Sequence, residues 1–89
     1  MNLRYATTFT FRRHFKERIS LDESLVEAYQ ASVDAFFHNP ETVDDHALKP
    51  PLKERRAFSI NDDYRVVYRV KKDYILFVDI GTHEQVYQR

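Results

Sequence analysis

The sequence predicts an α+β fold: a small twisted, mainly antiparallel four-stranded sheet with an N-terminal helical hairpin on one face, in the order β-α-α-β-β-β. Three observations carry this. Apolar residues recur at helical spacing in the first half. They alternate with polar ones in three closely spaced runs of the second half. A polar, proline-bearing segment separates the halves. The 89 residues form one domain, 1–89.

The first strand is expected over residues 3–9 of "LRYATTFTF", rich in β-branched and aromatic side chains. Thr10 can cap the helix that follows. There Phe11, Phe15 and Ile19 fall on one face and Arg12, Arg13, Lys16 and Arg18 on the rest. Ser20 and Glu23 have capping-box spacing for a second helix. Its apolar stripe is Leu25, Tyr29, Val33, Phe36 and Phe37, and Asn39-Pro40 ends it. So short a connection makes the two helices a hairpin.

Residues 40–53, "PETVDDHALKPPLK", read as a loop, because the Pro50-Pro51 pair opposes regular structure. A long loop in a small domain is a place to look for function, and this one holds His46. A meander completes the chain: strands at 54–60, 64–70 and 74–80, with turns at "NDD" and "KKD". In the middle strand Tyr64, Val66, Tyr68 and Val70 share one side, and Arg65, Val67 and Arg69 the other. In the last strand Tyr74, Leu76, Val78 and Ile80 are expected on one side, and Ile75, Phe77 and Asp79 on the other. Both sides are apolar enough for an interior strand. Gly81, the only glycine, is expected to end it. The face away from the helices would carry Arg65, Arg69 and some of Arg55, Arg56 and Ser59.

Composition excludes several classes. Without cysteine there are no disulfides or thiolate metal sites, and a reducing cytoplasm is the expected compartment. No apolar run approaches the ~20 residues that span a bilayer, and "MNLRYATTFTFRRHF" has no signal-peptide pattern. The expectation is a soluble intracellular protein that uses no membrane. Formal net charge is zero, but it is divided along the chain. Residues 21–46 hold seven acids and no Lys or Arg, while residues 47–72 hold eight Lys or Arg against three acids. Such a local basic field attracts phosphate whatever the total.

No glycine-rich phosphate loop, nucleophile elbow or metal-spaced histidine pair is present. His14, on the polar side of a helix, and His38, at a helix C-terminus, read as structural. His46 and His83 flank the meander and stand as surface residues or acid–base groups. An arginine within a central strand needs an anionic partner, so Arg65 pairs with Asp79 across strands or holds a phosphate. Tyr87 fills a gap at the sheet edge or stacks on a base.

The stretch "DHALKPPLKERRAFSINDDYRVVYRVKKDYILFVDIGTHEQVY" resembles the RelE/ParE toxin superfamily of type II toxin–antitoxin systems, nearest the RelE/YafQ-like mRNA interferases. The "DH-L" loop, the "DYRVVYRV" strand and the "DIGTHEQVY" ending stand in the family's order, and the likeness covers essentially the whole chain. It implies a ribosome-dependent mRNA endoribonuclease with no cofactor and no metal. Its 2′-hydroxyl attack on the adjacent phosphate needs a base, an acid and cations for the transition state. The resemblance gives His46 and His83 acid–base roles, Arg65 phosphate stabilisation, and Tyr87 stacking or proton transfer. Lys49, Lys53, Arg55, Arg56 and Arg69 would bind RNA, with Phe58 at one position where the RelE branch has a lysine. Ser59 stands where the YafQ-like branch has a further histidine. The implied partners are a cognate antitoxin and mRNA in the ribosomal A site, with DNA reached only through the antitoxin. Alternatives are a ParE-like inhibitor of DNA gyrase, or a catalytically weakened homologue that only binds antitoxin.

Overall fold

The structure is a computed structural model that describes residues 4–48 and 54–87. Strand β1 is Arg4–Thr7, helix α1 Phe9–Arg18 and helix α2 Glu23–His38. A single 3-10 turn, Pro40–Thr42, precedes strand β2, Asp45–Ala47. Strands β3 (Arg56–Ser59), β4 (Tyr64–Val70) and β5 (Tyr74–Thr82) form the meander, and helix α3, His83–Tyr87, follows. The sheet order is β1-β5-β4-β3-β2, with β1 parallel to β5 and the other pairs antiparallel. The expected α+β architecture and its four strands are present. Strand β2 adds a short fifth at the edge, inside the segment read as loop.

The helix stripes form as their spacing requires. Phe11, Ile19 and Leu25 are buried, and Phe15, Tyr29, Val33, Phe36 and Phe37 pack around them. From the sheet come Phe58, Val66, Tyr68, Ile75, Phe77 and Ile80. Aromatic rings fill the centre: Phe58 stacks on Phe36 at 4.5 Å, and Phe77 lies 4.6 Å from Tyr5. Arg12 and Arg13 are exposed, as expected of the polar side of α1.

The caps differ from the reading above. Thr8, not Thr10, caps α1: its Oγ1 accepts the Phe11 N–H at 3.0 Å and donates to the Val78 carbonyl at 3.0 Å. Asp22, not Ser20, caps α2, taking the N–H groups of Ser24 and Leu25 on Oδ1. Ser20 closes α1 instead by donating to the Lys16 carbonyl. A carboxylate one step from the helix start satisfies two orphan donors, so it displaces the hydroxyl.

The last strand also departs from simple alternation. A bulge shifts its register beside Val67/Tyr68. Beyond it Ile80 joins Ile75 and Phe77 in the helix-side core, while Val78 packs against the cluster of Ala57, Val67 and Val86 on the second face. A bulge inserts one residue and so reverses the parity of those after it. Asp79 holds it: its Oδ1 accepts the Ile80 N–H at 2.8 Å and lies 2.6 Å from His14 Nδ1. Arg18 donates to the Ile80 carbonyl at 2.9 Å, which closes α1 onto this end of β5. Gly81 does not end the strand, which runs on to Thr82. A Cβ at Gly81 would stand 2.5 Å from Arg18 Nη1 and 2.7 Å from Gln85 Oε1, so glycine lets α1 and α3 approach together.

Candidate functional site

The second face of the sheet carries the site, and its foundation is small. Ala57 and Val67 are buried there beneath Val86 of α3. Helix α3 forms because Thr82 and Gln85 make a reciprocal capping box. Gln85 Oε1 accepts the Thr82 N–H at 2.8 Å, and Thr82 Oγ1 accepts the Gln85 N–H at 3.2 Å. The His83 N–H donates to the Asp63 carbonyl at 2.8 Å, tying the helix to the β3–β4 turn. Within α3 the rings of His83 and Tyr87, one turn apart, meet edge-on at 4.3 Å and 83°.

Arg65 rises from β4 on the same face. Its cross-strand neighbour is Gly81, which has no side chain to crowd it. Its Nη1 donates to the carbonyls of Asn61 (2.9 Å) and Tyr64 (3.1 Å). Asn61 is itself fixed, because its Oδ1 accepts the N–H groups of Asp63 and Tyr64. Asp79 is thus not the partner of Arg65. It stands opposite Val67 and is engaged by His14, with Arg18 at 3.8 Å. Arg65 Nε and the Tyr87 hydroxyl are both sealed from solvent. Burial pushes the Tyr87 phenol above its ordinary pKa; the adjacent Arg65 guanidinium draws it back and the Asp44 charge adds to the rise. At neutral pH Tyr87 is therefore a protonated hydroxyl beside a cation, a donor and not a base.

The remaining expected residues are distributed unevenly. For His46 the backbone is described: it lies in β2 with its Cα paired to Ala57, which pairs in turn with Val67. Arg55 is half-buried on β3's approach, where its carbonyl accepts the Leu48 N–H at 3.0 Å. Arg69 donates to Glu54 at 3.0 Å. Arg56 stands apart from the group. It is paired with Tyr68, a residue of the helix-side core, and its Nε donates to Tyr68 Oη (3.1 Å) and Asp45 Oδ1 (3.3 Å). Phe58 shares that side and is fully buried, so a lysine there would bring a charge into the core. Lys49, Lys53 and the Pro50-Pro51 pair lie outside the described residues. His38 bonds within its own helix end, to Asp34.

Two groups at the site escaped the sequence reading. Asp44 takes the Ser59 N–H on its carbonyl at 3.0 Å and faces Ser59 Oγ with Oδ2 at 3.4 Å. It belongs to a groove of about 610 Å³ beside Arg65, walled by Ala28, Ala31 and Ala35 of α2. The other is the cap of α3, whose T-x-x-Q signature was present in "THEQ". Among the described residues no group of three or more His, Cys, Asp or Glu is disposed to hold a metal, and no helix is long and apolar enough to cross a membrane.

A mixed sheet with two helices on one face, and an arginine, a histidine and a tyrosine converging on the other, defines a RelE-like toxin fold. The family model for the bacterial toxin of type II toxin–antitoxin systems, YafQ, matches residues 3–88. The chain belongs to the YafQ toxin family. Among solved structures it is similar to the conserved hypothetical protein HP0894 from Helicobacter pylori, at 26% identity and TM-score 0.73, over 92% of this chain and 96% of that one. The toxin of the E. coli DinJ-YafQ complex has the same fold at 16% identity, TM-score 0.72, over 98% and 99% of the two chains. So does a YoeB/ParE toxin from Agrobacterium tumefaciens, at 16% identity and TM-score 0.75, over 91% and 99%. A comparison with curated protein sequences gives no match.

Proposed function

We propose that this toxin is a ribosome-dependent mRNA endoribonuclease of the cytoplasm, restrained by a cognate antitoxin. The observation that carries the reading is the convergence of Arg65, His83 and Tyr87 on the sheet face that α1 and α2 leave uncovered. Metal-free cleavage by the neighbouring 2′-hydroxyl needs these chemistries. An imidazole exchanges protons near neutral pH, and His83, exposed at the start of α3, has access to substrate. His46 is the second acid–base group. Arg65 grips the phosphate whose charge grows in the transition state. Tyr87, its hydroxyl sealed beside Arg65, steadies that guanidinium and offers its ring to a base. Arg55 and Arg69, with Lys49 and Lys53, guide the RNA backbone. Arg56 is the weakest of the proposed RNA ligands, since Asp45 and Tyr68 already hold it.

The antitoxin reading draws on the YafQ family and on the E. coli relative, which was solved with DinJ. An acidic segment laid over Arg65 would neutralise it and block substrate. DNA contacts then belong to the antitoxin. The test is to induce the protein in cells and map mRNA 5′ ends against His83→Ala. Codon-linked cuts that vanish in the variant support the reading. Growth arrest with intact mRNA and lost supercoiling overturns it in favour of gyrase inhibition, and no phenotype at all favours a weakened homologue.

A further inference from the structure

We infer that Arg18 is a positioning residue for His83: from the end of α1 it reaches round the outer edge of β5, pins the strand where α3 begins, and so sets where the imidazole stands. The inference rests on the nuclease reading above and adds a residue, from a helix of the covered face, that the reading does not use.

Strand β5 ends at Thr82 and α3 starts at His83, so the place of the imidazole depends directly on the place of the strand end. That end lies beyond the reach of β1. The register of β1 against β5 runs from Arg4 opposite Tyr74 to Thr7 opposite Phe77, and the Thr8 N–H adds a bond to the Phe77 carbonyl. Past that point the outer edge of β5 meets α1 instead of a strand. There the backbone of Ile80 is gripped by side chains. Asp79 Oδ1 accepts its N–H at 2.8 Å, and Arg18 Nη1 donates to its carbonyl at 2.9 Å. Arg18 Nη1 and Asp79 Oδ1 lie 3.8 Å apart, so the two halves of the grip also attract each other.

The tip of Arg18 also reaches the second face. Gly81 is the cross-strand partner of Arg65, and residues directly opposite in an antiparallel pair turn to the same side. A Cβ at Gly81 would therefore point to the face from which Arg65 rises. There it would stand 2.5 Å from Arg18 Nη1, 2.7 Å from Gln85 Oε1 and 3.2 Å from Gln85 Cβ. The guanidinium from α1 and the carboxamide that caps α3 thus share the space above one buried glycine.

The Arg18 side chain is mostly covered, at 22% exposure, and its Nη1 already holds a carbonyl. It serves the reaction by placement and does not touch RNA. Without it the end of β5 is free to shift, and α3 shifts with it. A misplacement of about 1 Å in a reacting group can cost about 100-fold in rate. Substrate binding changes little, because Arg65 is held separately by the Asn61 turn. The signature of Arg18 is therefore a lower kcat at nearly constant KM.

The test uses the full chain, purified ribosomes and a short mRNA. Alongside, NMR follows the His83 amide, which senses its bond to the Asp63 carbonyl. Arg18→Ala should lower kcat by about 10-fold or more, leave KM within about 2-fold, and shift the His83 amide signal. Gly81→Ala is the second variant. Its methyl meets the flexible ends of Arg18 and Gln85, so the fold survives while the guanidinium is displaced, and the same split should appear. The double variant should lose little beyond Arg18→Ala, because losses at one shared contact do not add. Arg18→Lys, which can still donate to the Ile80 carbonyl, should recover most of the rate. Parental kcat in both single variants, or losses that multiply in the double, overturns the inference and leaves the nuclease reading standing. A raised KM at constant kcat makes Arg18 an RNA ligand and overturns it too. If the parent cuts no mRNA, the nuclease reading fails, and a His83 amide unmoved by Arg18→Ala then overturns the placement as well.

Discussion

The two faces of the sheet are built by different means. On the helix-covered face, stability comes from volume: Phe58 and Phe77 are completely buried, ringed by Tyr5, Phe11, Phe36 and Phe37. On the second face, among the described residues, the buried members of the cluster are Ala57, Val67 and Val86. There, position comes from hydrogen bonds: a capped helix of five residues, a backbone bond from His83 to Asp63, and an asparagine turn beneath Arg65. A small domain has little stability to spare. The division lets one face hold the fold while the other keeps His83 exposed.

The sharpest way to break this contrast is to empty the covered face. Phe77→Ala should cost about 3–5 kcal/mol, the range for deleting a buried aromatic, and leave most of the chain unfolded in urea titrations at 37 °C. A cost near 1 kcal/mol would mean that the aromatic cluster is not what holds the sheet.

The next largest effect should fall on function alone. His83 is exposed, so His83→Ala should change unfolding free energy by no more than about 0.5 kcal/mol. Cleavage of ribosome-bound mRNA should fall by about 100-fold or more. Equal losses of stability and activity would erase the distinction between the faces.

Much of the covered face was legible in the sequence, because helical spacing and strand alternation are direct signatures of burial. Phe11, Phe15 and Ile19 sit where their period puts them, and β4 alternates as its pattern requires. The bulge in β5 was not legible. Asp79 is polar in an apolar run, yet nothing local says that its carboxylate will cap the Ile80 N–H and reach His14, 65 residues earlier. On the second face the sequence singled out Arg65, His83 and Tyr87, which lie together in the structure, but not the partner of Arg65. Asp79 is close in the sheet diagram and wrong in register. Strand β2 was hidden because three residues beside a proline pair carry too little pattern to separate strand from loop.

Tyr68, on the covered face, offers a pH test. Its phenol is pushed well above the ordinary value of 10.0, first by burial and then by its hydrogen bond to Asp45, against the pull of Arg56. Below pH 10 both folded and unfolded chains keep the proton, and this contribution is fully present. As pH rises past 10, the unfolded chain ionises while the folded chain does not. Stability should then fall by about 1.4 kcal/mol per pH unit from this group. The raised pKa of Tyr29, again from burial, acts with the same sign. Tyr68→Phe should flatten the slope between pH 10 and 11 by up to that amount in urea titrations. An unchanged slope would show that the phenol ionises as readily in the fold as outside it.

The smallest expected effect probes the second face most closely. Thr82→Ala removes the hydroxyl that accepts the Gln85 N–H and should cost about 1 kcal/mol, the usual worth of a helix cap. Because α3 is short and anchored mainly by Val86, that cost should appear as local fraying, not as global unfolding. Amide exchange should accelerate at residues 83–87 and stay unchanged in β4. Cleavage should fall further than stability alone would explain, since fraying parts the His83 ring from Tyr87 and Tyr87 from Arg65 together. If exchange accelerates evenly across the sheet, α3 is part of the core, and the two faces are one cooperative unit after all.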